Sequence, residues 1–181
     1  MAVTQSDTAS SMTEPATPAE LLDRLKALGI TTTTTEHTAA FTVEELDAVA
    51  GHLPGVHVKN LFLCDAKKKM WLVVAPGARA LDLKKLANVI GSARLSFGSE
   101  ERLMRVLGVA PGSVTPFAII NDKDNAVQVI LDAEMMGGEI INAHPLINTM
   151  STSIAPADLL KFMTDCGHTP RLVNLAAAGR G

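Results

Sequence analysis

Tyrosine is missing from this chain of 181 residues, and its aromatic side chains are five Phe and Trp71, 3% of the total. So few rings exclude a base-stacking platform or a carbohydrate-stacking groove. Cysteine is almost as scarce, with Cys64 and Cys166 alone. A disulfide scaffold is therefore excluded, and two unpaired thiols suit a reducing cytoplasm, the expected location. No stretch approaches 18 consecutive apolar residues, and residues 1–17 have neither a basic cluster nor an apolar core, so no membrane span and no leader is expected. An excess of positive charge is lacking too: 16 Lys and Arg against 19 Asp and Glu leave a net charge of −3. No uniformly basic face is available for a long duplex, so DNA is not an expected partner.

What the chain has is a dispersed apolar content of 47% with a mean hydropathy of +0.21, enough for one well-filled core. Residues 1–16 are mainly Ser, Thr, Ala and Pro and are expected to form a disordered N-terminal tail. A single domain is expected over residues 17–176. Thr17-Pro18-Ala19-Glu20 is a helix start, with a capping hydroxyl, Pro at the first helical position and Glu two residues after it. Thr42-Val43-Glu44-Glu45 repeats the device, and between the two the β-branched run 31–35 favours a strand. Residues 57–65 and 70–75 form an expected hairpin across the Asp-Ala-Lys-Lys-Lys turn. A helix over 83–90, a strand over 94–97 and a helix capped by Ser99 follow. Strands are expected at 117–120, 126–132 and 139–143, then a helix from Pro156 to about Gly167 and a last strand over 171–175. Helices are interspersed without strict βαβ alternation, which points to an α+β fold with a mixed, largely antiparallel sheet surrounded by helices.

Motif searches are mostly negative. There is no Gly-x-Ser-x-Gly, no Cys-x-x-Cys, no His-Glu-x-x-His and no phosphate-binding Gly-rich fingerprint. Cys64 and Cys166 read as small buried hydrophobes. The five histidines show no close-set pair beyond His52 and His57, so no metal is expected. Three features stand out instead. Lys59, in Val58-Lys59-Asn60-Leu61-Phe62-Leu63, shares an apolar strand face with Leu61 and Leu63 by period-2 alternation. It is either a snorkelling edge lysine or a pocket cation for a phosphate or carboxylate. Asn60 faces the other way and reads as a solvent- or turn-contacting amide. The stretch 108–116 holds two Gly and two Pro, either a plain rigid connection or a loop whose N–H groups approach a ligand. His144 precedes Pro145 after an apolar strand, a place for a core histidine or a pocket one.

Five blocks in order and spacing resemble a single family: Val58-Lys59-Asn60-Leu61-Phe62-Leu63, Asp82-Leu83-Lys84-Lys85-Leu86, Arg94-Leu95-Ser96-Phe97-Gly98, Leu107-Gly108-Val109-x-Pro111-Gly112-Ser113-Val114-Thr115 and His144-Pro145-Leu146. The resemblance is to the YbaK/proline-tRNA-editing family, nearest its freestanding alanyl-tRNA(Pro) deacylases of the ProXp-ala or PrdX type, over about residues 18–175. It implies removal of alanine wrongly esterified to proline tRNA, with no cofactor. Lys59 corresponds to the family's lysine, expected to anchor and orient the substrate. Gly112 and Ser113 correspond to a loop whose N–H groups stabilise an oxyanion. Thr115, Pro116, Asn60, His144 and, from the first strand, Thr34 are the expected substrate-binding walls. The expected partners are the acceptor end of tRNA(Pro), through candidates Lys67, Lys68, Lys69, Lys84 and Lys85, and transiently prolyl-tRNA synthetase, with the protein a monomer. One segment departs from the family: Glu36-His37-Thr38-Ala39-Ala40-Phe41 stands where a His-Pro-Pro type sequence is common. Deacylation of cysteinyl or seryl esters, or non-catalytic binding of a tRNA or synthetase, are the other functions compatible with the sequence.

Overall fold

Helix starts fall at the capping residues. In the computed structural model, which describes residues 14–179, the Thr17 hydroxyl accepts the Glu20 N–H and opens α1 (Pro18–Ala27). After β1 (Thr33–Glu36), Thr42 does the same for Glu45 at α2 (Val43–Ala50). The hairpin is β2 (Val56–Asp65) and β3 (Met70–Pro76). Its turn is organised by the Asp65 carboxylate, which accepts the N–H groups of Lys67 and Lys69 and the Trp71 indole. Asp82 caps α3 (Leu83–Ile90), β4 (Leu95–Phe97) follows, and Ser99 caps α4 (Glu100–Leu107). Gly91 and Gly108 end these two helices in the left-handed region, at φ 76° and 66°, where a side chain would strain the backbone.

The remaining elements are β5 (Val127–Asp132), α5 (Ala133–Met136), β6 (Ile141–Ala143), β7 (Met150–Ile154), α6 (Pro156–Asp165) and β8 (Arg171–Val173). The strands run in the order β1-β7-β6-β2-β3-β5-β8, with β4 pairing β2 off this path. Four of the pairings are antiparallel and three, β2–β6, β3–β5 and β5–β8, are parallel, a mixed and mostly antiparallel sheet. The main core, with Phe117, Phe162, Leu72 and Leu131, lies on one sheet face under α1, α4 and α6. A second core, around Trp71, Val73, Leu86 and Ile130, lies on the other face under α3. Among the described residues no helix is long and apolar enough to cross a membrane.

Three details correct the sequence reading. Residues 117–120 are not a strand but part of a 3-10 helix, Pro116–Asn121, with Thr115 accepting the Phe117 N–H. A short apolar run carries no period that distinguishes a strand from a buried helical turn, and Pro116 at the first position favours the latter. The polar segment Met150–Ile154 is an interior strand that the sequence hid. Its hydroxyls are used laterally: Ser151 with His37 at 2.8 Å, Thr152 with Thr34 at 2.9 Å, and Ser153 donating to Asn142. The last strand ends at Val173, and a 3-10 turn Leu175–Ala178 replaces its expected end. Of the expected tail, residues 1–13 lie outside the described residues. Ala16, by contrast, donates its N–H to Asn121 at 2.9 Å and packs on the main core.

Candidate active site

Strand β2 belongs to both halves of the sheet, and its two ends are taken by different neighbours. On one side it pairs with β3 from Val58 to Cys64. On the other side, Val56 and His57 pair with β6, and Leu63 to Asp65 pair with β4. Between those partners, among the described residues, the edge opposite β3 has no strand along residues 58–62. The Gly77 N–H donates to His57 O on the β3 side, whereas the Gly98 N–H donates to Phe62 O on the other. Alternation therefore turns the peptide groups of Val58 and Asn60 toward the opening.

A cleft of about 140 Å³ sits at this opening. It gathers Lys59 and Asn60 from β2, Gly112 from the Gly-Pro loop, His144 from just after β6, and Phe41 from the entry to α2. Lys59 shares its face with Leu61 and Leu63, as alternation predicts, and Asn60 faces the main core between Val58 and Phe62. The expectation of a solvent- or turn-contacting Asn60 is corrected: its Oδ1 is buried and accepts no hydrogen bond from the described residues.

His144 is half-buried, and its Nδ1 lies 2.9 Å from the Met150 carbonyl, so Nδ1 carries the hydrogen and Nε2 offers a lone pair. Burial pushes its pKa below 6.5; the Met150 carbonyl opposes this, and nearby His37 and His57 add to it. The His37 ring, 6.2 Å away between centroids, is itself held between Thr38 O and the Ser151 hydroxyl, each at 2.8 Å. Gly112 falls in the short 3-10 turn Pro111–Ser113, where the Ser113 N–H donates to Ala110 O at 2.9 Å. Ser113 is therefore not an oxyanion donor in this arrangement, because its N–H closes the turn. The Gly112 N–H precedes the first bond of that turn and needs no partner within it.

The other expected wall residues lie elsewhere. Thr34 is in the β1–β7 pair, bonded to Thr152. Thr115 is fully buried as a helix cap, and Pro116 is buried behind it. Lys67, Lys68 and Lys69 are exposed in the β2–β3 turn, roughly 20 Å along the strand from Lys59 at about 3.3 Å per residue. Sequence reading overlooked Phe41. Its ring is 70% exposed yet so close to Gly112 that a Cβ there would meet it at 2.7 Å, and its N–H donates to Glu45 at 2.7 Å. The signal was present in the segment that departs from the family pattern, which ends on Phe41.

Among the described residues no Cys, Asp or Glu lines the cleft, and the one hydroxyl there, Thr42, is engaged as the α2 cap. Cys166 is remote from it, and burial pushes its thiol up to about 11, which leaves it a poor nucleophile. A cation, a backbone donor and neutral acceptors around a small space suit the hydrolysis of a bound substrate that is already activated, with water as the nucleophile.

Comparison with known proteins identifies the family. The profile of the aminoacyl-tRNA editing domain matches residues 37–162. The prolyl-tRNA editing protein ProX of Acetoanaerobium sticklandii is 36% identical over 156 residues, covering 86% of this chain and 95% of that protein. Prolyl-tRNA synthetase associated domain-containing protein 1 of Danio rerio is 41% identical over 157 residues, covering 86% of this chain and 85% of its own length. A crystal structure described as a candidate trans-editing enzyme for prolyl tRNA synthetase superposes with a TM-score of 0.67 at 21% identity, over 92% of this chain and 99% of that one, a likeness of fold. With a family profile spanning most of its length and relatives above 35% identity, the chain belongs to the aminoacyl-tRNA editing domain family.

Proposed function

We propose that the protein is a trans-editing hydrolase that removes alanine from mischarged alanyl-tRNA(Pro). The observation that carries this reading is the convergence of Lys59, Gly112 and His144 on one small cleft that, among the described residues, lacks a protein nucleophile. An aminoacyl ester needs none. Water adds to the ester carbonyl carbon, the bond to the ribose 3′ oxygen breaks, and the proton shed by the water ends on that oxygen. The neighbouring ribose hydroxyl assists by positioning the water.

Lys59 orients the acceptor end through its charge, and the Gly112 N–H stabilises the developing oxyanion, a contribution of about 3 kcal/mol for one well-placed donor. His144, neutral and held by Met150, braces the acyl group. Discrimination is by size. Pro111 stiffens one wall and Phe41 rests on Gly112, so the cleft admits alanine while the proline ring clashes. The net charge of −3 suits a grip on the acceptor end alone, through few phosphate contacts, by a monomer that meets prolyl-tRNA synthetase only transiently.

The test is hydrolysis of proline tRNA charged with Ala, Cys, Ser or Pro under identical conditions. Fast release of Ala with Pro retained is expected. Preference for Cys or Ser would reassign the acyl group, equal release of Pro and Ala would sink size exclusion, and no hydrolysis of any ester would leave a binding module.

A further inference from the structure

Aromatic side chains are few, and the fold sorts them into two groups. Phe62, Trp71, Phe117 and Phe162 are buried, whereas Phe41 is 70% and Phe97 66% exposed. Both exposed rings flank the stretch of β2 that, among the described residues, pairs with no strand opposite β3. Phe41 stands at the cleft, and Phe97 is on β4, which takes up that edge again at Leu63. Local structure fixes where the Phe97 ring points. It is opposite Leu63 in the β2–β4 register, so it shares the sheet face that carries Leu63, Leu61 and Lys59. Leu63 and Leu95 are buried there in the second core, and Leu61 packs at its margin. The core ends at that point and the Phe97 ring projects beyond it. Gly98 holds the arrangement: its N–H donates to Phe62 O at 2.9 Å, and a Cβ on it would meet the Phe62 ring at 2.5 Å. β4 therefore lies close against β2, with no room to turn Phe97 inward.

We infer that Phe97 is the stacking surface for one base of the unpaired 3′ end of the tRNA, among the nucleotides that precede the esterified adenosine. This rests on the deacylase reading and adds where the strand leading into the cleft lies. Four residues of β2 separate Lys59 from the level of Phe97, about 13 Å at 3.3 Å per residue. That is a span of a few nucleotides at about 3.4 Å each when stacked. Every base has a π-face, so a fixed ring grips the strand without phosphate contacts, which suits a chain of net charge −3. A single ring serves a single base and does not make the platform that so few aromatics exclude.

The experiment measures kcat and KM on alanyl-tRNA(Pro), and on the same tRNA made abasic in turn at each unpaired position before the terminal adenosine. Phe97→Ala should lower kcat/KM roughly fivefold to a hundredfold, the range for one stacked base, chiefly by raising KM. Phe97→Trp should keep the wild-type value, and Phe97→Leu, apolar but without a ring face, should fall with Phe97→Ala. At one position the abasic change should slow the wild type and have no further effect on Phe97→Ala. Melting temperatures are measured alongside; should Phe97→Ala lose its fold, the contrast between Phe97→Trp and Phe97→Leu carries the test. Wild-type kinetics for Phe97→Ala, as expected of a ring that docks a protein instead, would overturn the inference and leave the deacylase reading intact. So would Phe97→Leu as active as Phe97→Trp, or additive abasic effects at every position. No hydrolysis by the wild type would overturn both.

Discussion

His144 is half-buried and His168 fully buried, and the difference between their surroundings separates a cluster that holds the fold together from the cleft proposed as the site. His168 is 2% exposed, with Nε2 2.9 Å from Asp122 and Nδ1 3.3 Å from the Cys166 carbonyl. Asp122 in turn accepts the N–H groups of Ala126 and Val127 at 3.0 and 2.9 Å. Every polar atom there has a protein partner, and the cluster ties the loop after α6 to the start of β5. In the cleft, by contrast, among the described residues only one nitrogen of His144 is used, and the Asn60 carbonyl has no donor. A saturated polar cluster stabilises a fold, whereas an unsaturated one destabilises it slightly and is retained for a ligand.

Removing the saturated histidine tests the comparison hardest. His168→Ala strands a buried carboxylate and should cost about 3 to 5 kcal/mol, lowering the melting temperature by roughly 10 °C. Its deacylation rate at 20 °C should match the wild type. A large rate loss with little change in melting would reverse the roles assigned to the two regions.

Lys59→Ala should do the opposite, reducing kcat/KM on alanyl-tRNA(Pro) by about a hundredfold while the melting temperature moves by no more than about 2 °C. A near wild-type rate would make Lys59 a snorkelling edge residue. Gly112→Ala sharpens the picture at the cleft mouth. Its Cβ would sit 2.7 Å from the Phe41 ring, which is exposed enough to swing away, so stability should hold while kcat/KM falls about tenfold. If Phe41→Ala restores that activity, steric contact is the cause.

The smallest effects are those of pH, and they have separate limbs. Burial lowers the pKa of His144 below 6.5, so deacylation corrected for spontaneous hydrolysis should hold from pH 8 to 6.5 and decline only below it. The stability that His144 contributes is complete above 6.5 and diminishes as the pH falls toward its folded value. Asp122 behaves differently. Burial would raise its carboxyl, but hydrogen bonds from His168, Ala126 and Val127 outweigh this and hold it below 3.8. Its contribution is complete above 3.8 and is lost as the pH falls through the lower folded value. Thermal melts and initial rates measured from pH 3 to 8 should therefore show activity declining before the fold does. Coincident decline would break the separation.

Much of this was legible in the chain. Capping boxes at Thr17 and Thr42, the Asp65 turn and the left-handed glycines after α3 and α4 act through neighbours a few residues away, so the sequence carries their signals directly. Lys59 was marked by its place on an apolar strand face. What escaped was non-local. β7 reads as polar loop because its Ser and Thr hydroxyls find partners on β1 and β6, more than a hundred residues away for Thr34. Thr34 lies in the expected strand, whereas Thr115 and Pro116 cap and open a 3-10 helix where a loop was expected, and the β1–β7 pairing and that helix direct all three away from the cleft.

The sequence by itself determined the helix ends, the central hairpin and the residues whose chemistry is usable, because these depend on propensity, period and local hydrogen bonds. Only the tertiary structure decided that β6 and β4 take opposite ends of β2 and leave its middle open. It alone added Phe41 to Asn60, Gly112 and His144, which the family resemblance had already grouped, and left Asn60 Oδ1 without a donor among the described residues while completing every bond of His168. Burial and hydrogen-bond saturation are properties of the packed whole, set by segments far apart in the chain, and no local pattern specifies them.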